Sequence, residues 1–409
     1  MGATQDVTLD FFGDGLTQVT VAGNGMGVSN CVTANCNGGI TSTGNAFALG
    51  GNIELRTNTM DGATAGTALF VDPANGGRIW IAGNVSAQTD GNRRGTVTID
   101  AGQGNIDLGG LDGKTGNVSA VGNDAGEQAG TITLRGNQLF THLCYGTGPT
   151  DLCVANNRLG LVNASAYGTG GSAGEIHVDV NRLYHGGVLQ AVANDGSGGL
   201  IDINAIDAEI YNWVFAYGNN GAGGTIDIDS DSLLLFRGQQ AWLGGPGTAY
   251  WSASLLAYGT TTGGTVNIDT TDLVVTDLGN VTPQSPDLVP VINVTGQLGG
   301  NGGTISVNAG DASIDDTLFA DASGEGNGGS IVFNAGSLYL AGGMVANGGD
   351  GQDGDVATTA SSELVIAGTA YVGGDTWLLQ APEIALLSST DIASGTGSRV
   401  ADGAISAAL

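Results

Sequence analysis

The phrase Gly-Gly-x-Ile/Val-x-Ile/Val returns along this chain, and where nothing interrupts it the step is 25 or 26 residues. Ile176, Ile201 and Ile226 mark one run; Ile305, Ile331 and a degenerate Val356 mark another. A period of this size belongs to stacked units that cannot bury their own apolar faces alone, so the repeat constrains the architecture before any local propensity does. Within Thr225-Ile226-Asp227-Ile228-Asp229, apolar and polar residues alternate with period two, the pattern of a strand with one buried face. Ile226 and Ile228 should point inward, Asp227 and Asp229 outward. Short apolar runs such as Leu233-Leu234-Leu235-Phe236 and Leu255-Leu256-Ala257-Tyr258, separated by Gly, Asn, Asp and Ser clusters, supply further strands and corners. The expected fold is therefore all-β: a right-handed parallel β-helix, with coils of about 25 residues and three short strands in each.

Longer steps are expected to carry loops inserted at corners. Ile226 to Val266 is 40 residues, Val266 to Ile305 is 39 and Ile132 to Ile176 is 44. The excess falls at about 237–251, 280–292 and 140–160, the second stretch holding Pro283, Pro286 and Pro290. Earlier markers, Ile53, Ile79 and Val97, are less evenly spaced. Residues 1–49 lack the regular phrase and are expected to form an atypical cap or first coils; residues 50–409 form the solenoid. The terminal Ala404-Ile405-Ser406-Ala407-Ala408-Leu409 is small and apolar, unlike a polar cap. Two expectations follow: a longer solenoid from which this chain was cut, or a second subunit stacked end to end.

Seventy-five glycines among 409 residues make a turn-dense chain, and 41% apolar residues are too many for a disordered one. The formal net charge is -29, with Lys114 as the one lysine and nine arginines. Phosphate recognition needs clustered cations, so nucleic acid is excluded as a partner. No apolar run approaches the ~20 residues of a membrane-spanning helix. No basic-then-apolar leader follows Met1, so any secretion signal is expected to have been removed or replaced.

Four cysteines form two close pairs, Cys31 with Cys36 and Cys144 with Cys153, each in a polar, turn-rich stretch. Two local disulfides are the simplest account, and they imply an oxidising, extracellular setting.

Gly326 to Val356 and Gly221 to Phe236 are similar to the coils of filamentous-haemagglutinin-like proteins, the large secreted adhesins of bacterial two-partner secretion. That resemblance covers most of the chain from about Gly50. It implies a right-handed β-helical rod at the cell surface that attaches to host cells, other bacteria or surfaces through a glycan or protein receptor. The family's secretion domain usually carries Asn-Pro-Asn-Gly-Ile; the nearest phrase here is Asn35-Cys36-Asn37-Gly38-Gly39-Ile40, which departs from it.

Candidate sites are few. Outward carboxylates of successive coils should stack, Asp202 over Asp227 and Asp229 over Asp269, with Asn204, Asn308 and Asn334 continuing the second row. Like charges at roughly 4.8 Å repel, so the row is either a solvated acidic face interrupted by Asn or a site for Ca²⁺, which favours oxygen ligands. No other cofactor is expected. The histidines, His142, His177 and His185, lack zinc spacing, and no nucleophile elbow or phosphate loop appears. The 237–251 insertion holds Trp242, Tyr250 and Trp251, with Tyr211, Trp213 and Tyr217 one coil earlier. Such aromatics either stack on a sugar or protein partner or fold back over a strand row. The expectation is a non-enzymatic secreted adhesin or adhesin stalk. A subunit of a self-assembling extracellular filament comes second, and a polysaccharide lyase or hydrolase third.

Overall fold

The computed structural model describes residues 78–81, 84–89, 91–92, 94–102, 104–108, 116–141, 160–241, 248–277, 291–387 and 397–401, together with short strands between residues 2 and 57. All four cysteines, Trp242 and the terminal segment 404–409 lie outside the described residues, and the side chains of Tyr250 and Trp251 are likewise not described. The described residues hold strands and turns and no helix, so none could cross a membrane as an apolar helix. Contacts divide the chain into two units, one comprising residues 1–195, 201–208 and 240–249, the other residues 196–200, 209–239 and 250–409.

Each unit is a parallel β-helix with three rows of strands in register. In the first unit, Ile53, Val97, Ile132 and Ile176 are successive register partners. Ile79, Ile106, Leu139 and Leu183 form the second row, and Ala46, Val85, Val118, Val162 and Leu189 the third. The second unit repeats the arrangement. Its first row runs Ile226, Val266, Ile305, Ile331, Val356; its second Leu233, Leu273, Ala312, Leu338, Leu364; its third Val214, Leu255, Ile292, Leu318, Met344, Val372. The 40- and 39-residue steps thus each close a single coil, because Ile226 pairs with Val266 and Val266 with Ile305. Nearly all these inward side chains from Val85 onward are fully buried, and each Val, Leu or Ile so placed contributes about 1.5–3 kcal/mol.

Two of the three strands in a coil commonly run on as one. In Thr265–Asp277, Val266, Ile268 and Thr270 face inward; Thr271 and Asp272 then both face solvent, and Leu273 and Val275 are inward again. Two successive outward residues shift the alternation by one, which turns the strand through a corner without breaking its ladder. Inside this corner, Ser230 Oγ donates to Thr270 Oγ1 at 3.2 Å, so the two buried hydroxyls satisfy each other across coils. A departure from parallel pairing lies near the start, where Thr17–Ala22 and Gly25–Asn30 form an antiparallel hairpin.

The double glycine has a mechanical reason. Gly264, Gly303, Gly329 and Gly354 each stand just before the first strand of a coil, and a Cβ on each would lie 1.9 to 2.1 Å from the carbonyl oxygen of the equivalent glycine one coil back. Those same oxygens accept the first ladder bond of the coil, from Thr265, Thr304, Ser330 and Asp355, at 2.9 to 3.1 Å. Each glycine N–H meanwhile bonds back within its own coil, as Gly329 does to Ala320 O at 2.7 Å. Any side chain here would wedge apart the backbones that set the register.

Candidate functional site

The short third-row strands present their alternate residues to solvent, and in the second unit these positions carry aromatics. Along Trp213–Phe215, Val214 is buried while Trp213 keeps 40% of its surface exposed. Trp213 and Phe215 stack with ring centroids 5.4 Å apart, Phe215 meets Tyr217 edge-on at 5.6 Å, and Tyr217 stacks on Tyr258 of the next coil at 4.4 Å with 10° between the planes. Four rings therefore run as one stripe across two coils. Each ring steadies its neighbours, so the stripe is ordered before any ligand arrives. Burial first, then the neighbouring Tyr217 hydroxyl, raises the Tyr258 phenol above its ordinary range, so it stays neutral at physiological pH.

Of the aromatics singled out in the sequence, Trp213 and Tyr217 belong to this stripe. Tyr211 does not: it is 2% exposed, tilts against Phe236 at 5.6 Å, and its hydroxyl donates to Glu209 Oε2 at 2.5 Å. Phe215 and Tyr258 were legible only as period-two outward positions of apolar runs; the register that brings Tyr258 beside Tyr217 depends on the 40-residue coil.

The outward carboxylate row has the register expected of it in the second unit: Asp229 pairs with Asp269, Asp269 with Asn308 and Asn308 with Asn334. Asn334 Nδ2 donates to Asn308 Oδ1 at 3.1 Å, and Asn267 Nδ2 donates to Asp227 Oδ1 at 2.6 Å. Each amide thus occupies one side-chain oxygen, on Asn308 and on Asp227. In the first unit Asp202 Oδ2 lies 3.0 Å from His177 Nδ1, while Glu175 Oε2 lies 3.2 Å from His177 Nε2. Burial works against protonation of this imidazole, but hydrogen bonding and charge from Asp202 and Glu175 outweigh it and raise its pKa. Among the described residues, no group of three or more His, Cys, Asp and Glu side chains is placed to hold a metal ion.

Two buried polar groups have hydrogen-bond partners, backbone N–H groups in one case and a side-chain hydroxyl in the other. Glu127, 4% exposed, accepts Gly91 N at 2.7 Å on Oε1 and Asn123 N and Asp124 N, both at 3.0 Å, on Oε2, tying a corner of one coil to the next. His185, fully buried, bonds through Nδ1 to Thr141 Oγ1 at 2.9 Å, and that oxygen also accepts Gly187 N at 2.9 Å. Gly160 N donates to Thr141 O at 2.7 Å, so the chain that leaves this coil at Thr141 rejoins it at Gly160.

No family model matches the chain, and neither a curated protein nor a solved structure matches it.

Proposed function

We propose that this chain is a non-enzymatic β-helical adhesin, or the stalk of one, secreted or displayed at a bacterial surface, and that it contacts glycan through the Trp213–Phe215–Tyr217–Tyr258 stripe. The stripe is the observation that carries the reading. Flat, neutral, partly exposed rings on a rigid strand suit the C–H faces of pyranose rings, where apolar contact and ring polarisation add without a charge to desolvate. The surrounding coils resemble filamentous-haemagglutinin repeats in sequence, and their mechanical role is to hold such a surface at a distance by continuous backbone pairing.

The test is glycan-array binding followed by calorimetry on the best neutral oligosaccharide, using wild type, Trp213→Ala and Tyr217→Ala. Trp213→Ala should weaken binding about tenfold, since stacked aromatic anchors contribute about 1–2 kcal/mol. Equal affinity in all three proteins, with folding intact by circular dichroism, would remove the stripe from the reading. Release of reducing sugar from the bound oligosaccharide would replace adhesion with hydrolysis.

A further inference from the structure

A groove of about 270 Å³ crosses the second outward row of the second unit, beginning in the coil that follows Tyr258. Its register is plain: Val274, Ser313, Tyr339 and Val365 are successive partners, and beside them run Asp272, Asp311, Ser337 and Glu363. Val274 and Tyr339 are 42% and 44% exposed, and the small Ser313 between them leaves the dip. The groove thus has an apolar, partly aromatic wall and a carboxylate rim.

Charge divides the rim in two. Glu363 is already paired, its Oε1 accepting Arg399 Nη1 at 2.9 Å. Asp272 and Asp311 sit on adjacent coils, roughly one strand spacing of 4.8 Å apart along the row, and neither carboxylate meets a described cation. Two neighbouring carboxylates on a chain of net charge -29 favour a positive ligand. A metal ion is the poorer fit, because no third acidic or imidazole group converges here among the described residues. A peptide strand is also poorly served: the groove lies on a sheet face, where backbone N–H and C=O groups are spent in the ladder, so an added strand would find side chains only. A saccharide ring keeps its hydroxyls in water or on the carboxylates and lays its C–H face on Tyr339.

We propose that this groove is a second glycan site, selective for oligosaccharides that carry protonated amino groups. The apolar face of the sugar covers Val274 and Tyr339, and its ammonium groups lie between Asp272 and Asp311.

Calorimetry with a fully deacetylated glucosamine hexamer, the fully N-acetylated hexamer and hexalysine tests it on the full chain, with Tyr339→Ala and Asp311→Asn as variants whose exposed positions leave the core intact. The deacetylated hexamer should bind at least tenfold tighter than the acetylated one. Tyr339→Ala should weaken it about tenfold at all salt concentrations; Asp311→Asn should weaken it at low salt and flatten the salt dependence. Equal binding of acetylated and deacetylated sugar would overturn the charge assignment. Hexalysine binding as tightly, with the same dependence on Tyr339, would make a basic peptide the occupant. No binding of the amino sugar above the Asp311→Asn background would overturn the site.

Discussion

Arg237 Nη1 donates to Asp316 Oδ2 at 2.5 Å across 79 residues of sequence, with the two side chains only 6% and 10% exposed. Asp316 Oδ1 also accepts the Thr317 N–H at 2.6 Å, so the carboxylate is anchored on both oxygens. The pair ties the strand Thr225–Ala241 to the corner that follows Thr304–Ile314, two coils further on. Arg237→Met should leave a buried carboxylate without its cation and cost about 3–5 kcal/mol. Adding Asp316→Leu should recover part of that loss, because the double variant buries no orphaned charge. Urea unfolding of the single and double variants measures the coupling; a single variant within about 1 kcal/mol of wild type would show that the pair is not holding the corner.

Glu127 gives an acid-side prediction. Burial alone would raise its pKa, yet three backbone N–H donors, from Asp124, Gly91 and Asn123, outweigh it and hold the carboxyl below its ordinary value. A depressed folded pKa means stability that is fully present above the unfolded value of about 4.3 and is lost as pH falls through the folded one. Glu127→Ala should cost about 2–3 kcal/mol at neutral pH through the unsatisfied donors, and the difference from wild type should shrink below pH 4. Thermal unfolding of both proteins from pH 3 to 7 reads this directly; a pH-independent difference would assign the loss to packing.

How far the sequence reached depended on whether a feature was local. The Val266, Ile305, Ile331, Val356 row was legible because Gly-Gly and period-two alternation coincide at the first three, with the single Gly354 marking the fourth, and the structure pairs them in that order. Ile79 shows the limit. Gly76-Gly77-Arg78-Ile79-Trp80-Ile81 matches the phrase, but Ile79 pairs with Ile106 in the second row, while Ile53 pairs directly with Val97 in the first. A six-residue pattern reports a strand with one buried face and carries no mark of which face of the coil it lines. The Asp229 to Asn334 row was legible by the same arithmetic as the core. The Arg237–Asp316 bond, the Tyr217–Tyr258 stack and the Tyr339 groove were not, because each depends on inserted residues or on a small side chain, Ser313, in a neighbouring coil.

His177 titrates in the opposite sense to Glu127. Burial opposes its protonation, but Asp202 and Glu175 prevail and raise the folded pKa. A raised pKa contributes stability that is fully present below the unfolded value of about 6.5 and is lost as pH climbs through the folded value. Wild type should therefore exceed His177→Gln most between about pH 5 and 6.5, with the gap closing above the folded pKa; below about pH 4.5 the carboxylates themselves begin to protonate. Because the imidazole is 32% exposed and Asp202 48%, the effect is small and should fall further in 0.5 M salt. An NMR titration of the His177 ring showing a midpoint below 6.5 would reject the assignment.

The glycine ladder allows the sharpest contrast of all. At Gly329 a Cβ would lie 2.0 Å from Gly303 O, the oxygen that accepts the Ser330 N–H, so Gly329→Ala must move backbone in two coils at once. Gly343 is equally crowded on paper, its Cβ site lying 2.4 Å from the Tyr371 ring, but that ring is 42% exposed and can swing aside, giving up its 2.8 Å hydrogen bond to Thr317. Gly329→Ala should therefore cost about 3 kcal/mol or more, whereas Gly343→Ala should cost ~1 kcal/mol. Hydrogen exchange separates the two further: Gly329→Ala should lower protection of the Thr304–Ile314 and Ser330–Leu340 strands together, and Gly343→Ala should leave both unchanged. Similar costs for the two alanines would mean that the double glycine serves chain flexibility at the corner and not the close approach of stacked backbones.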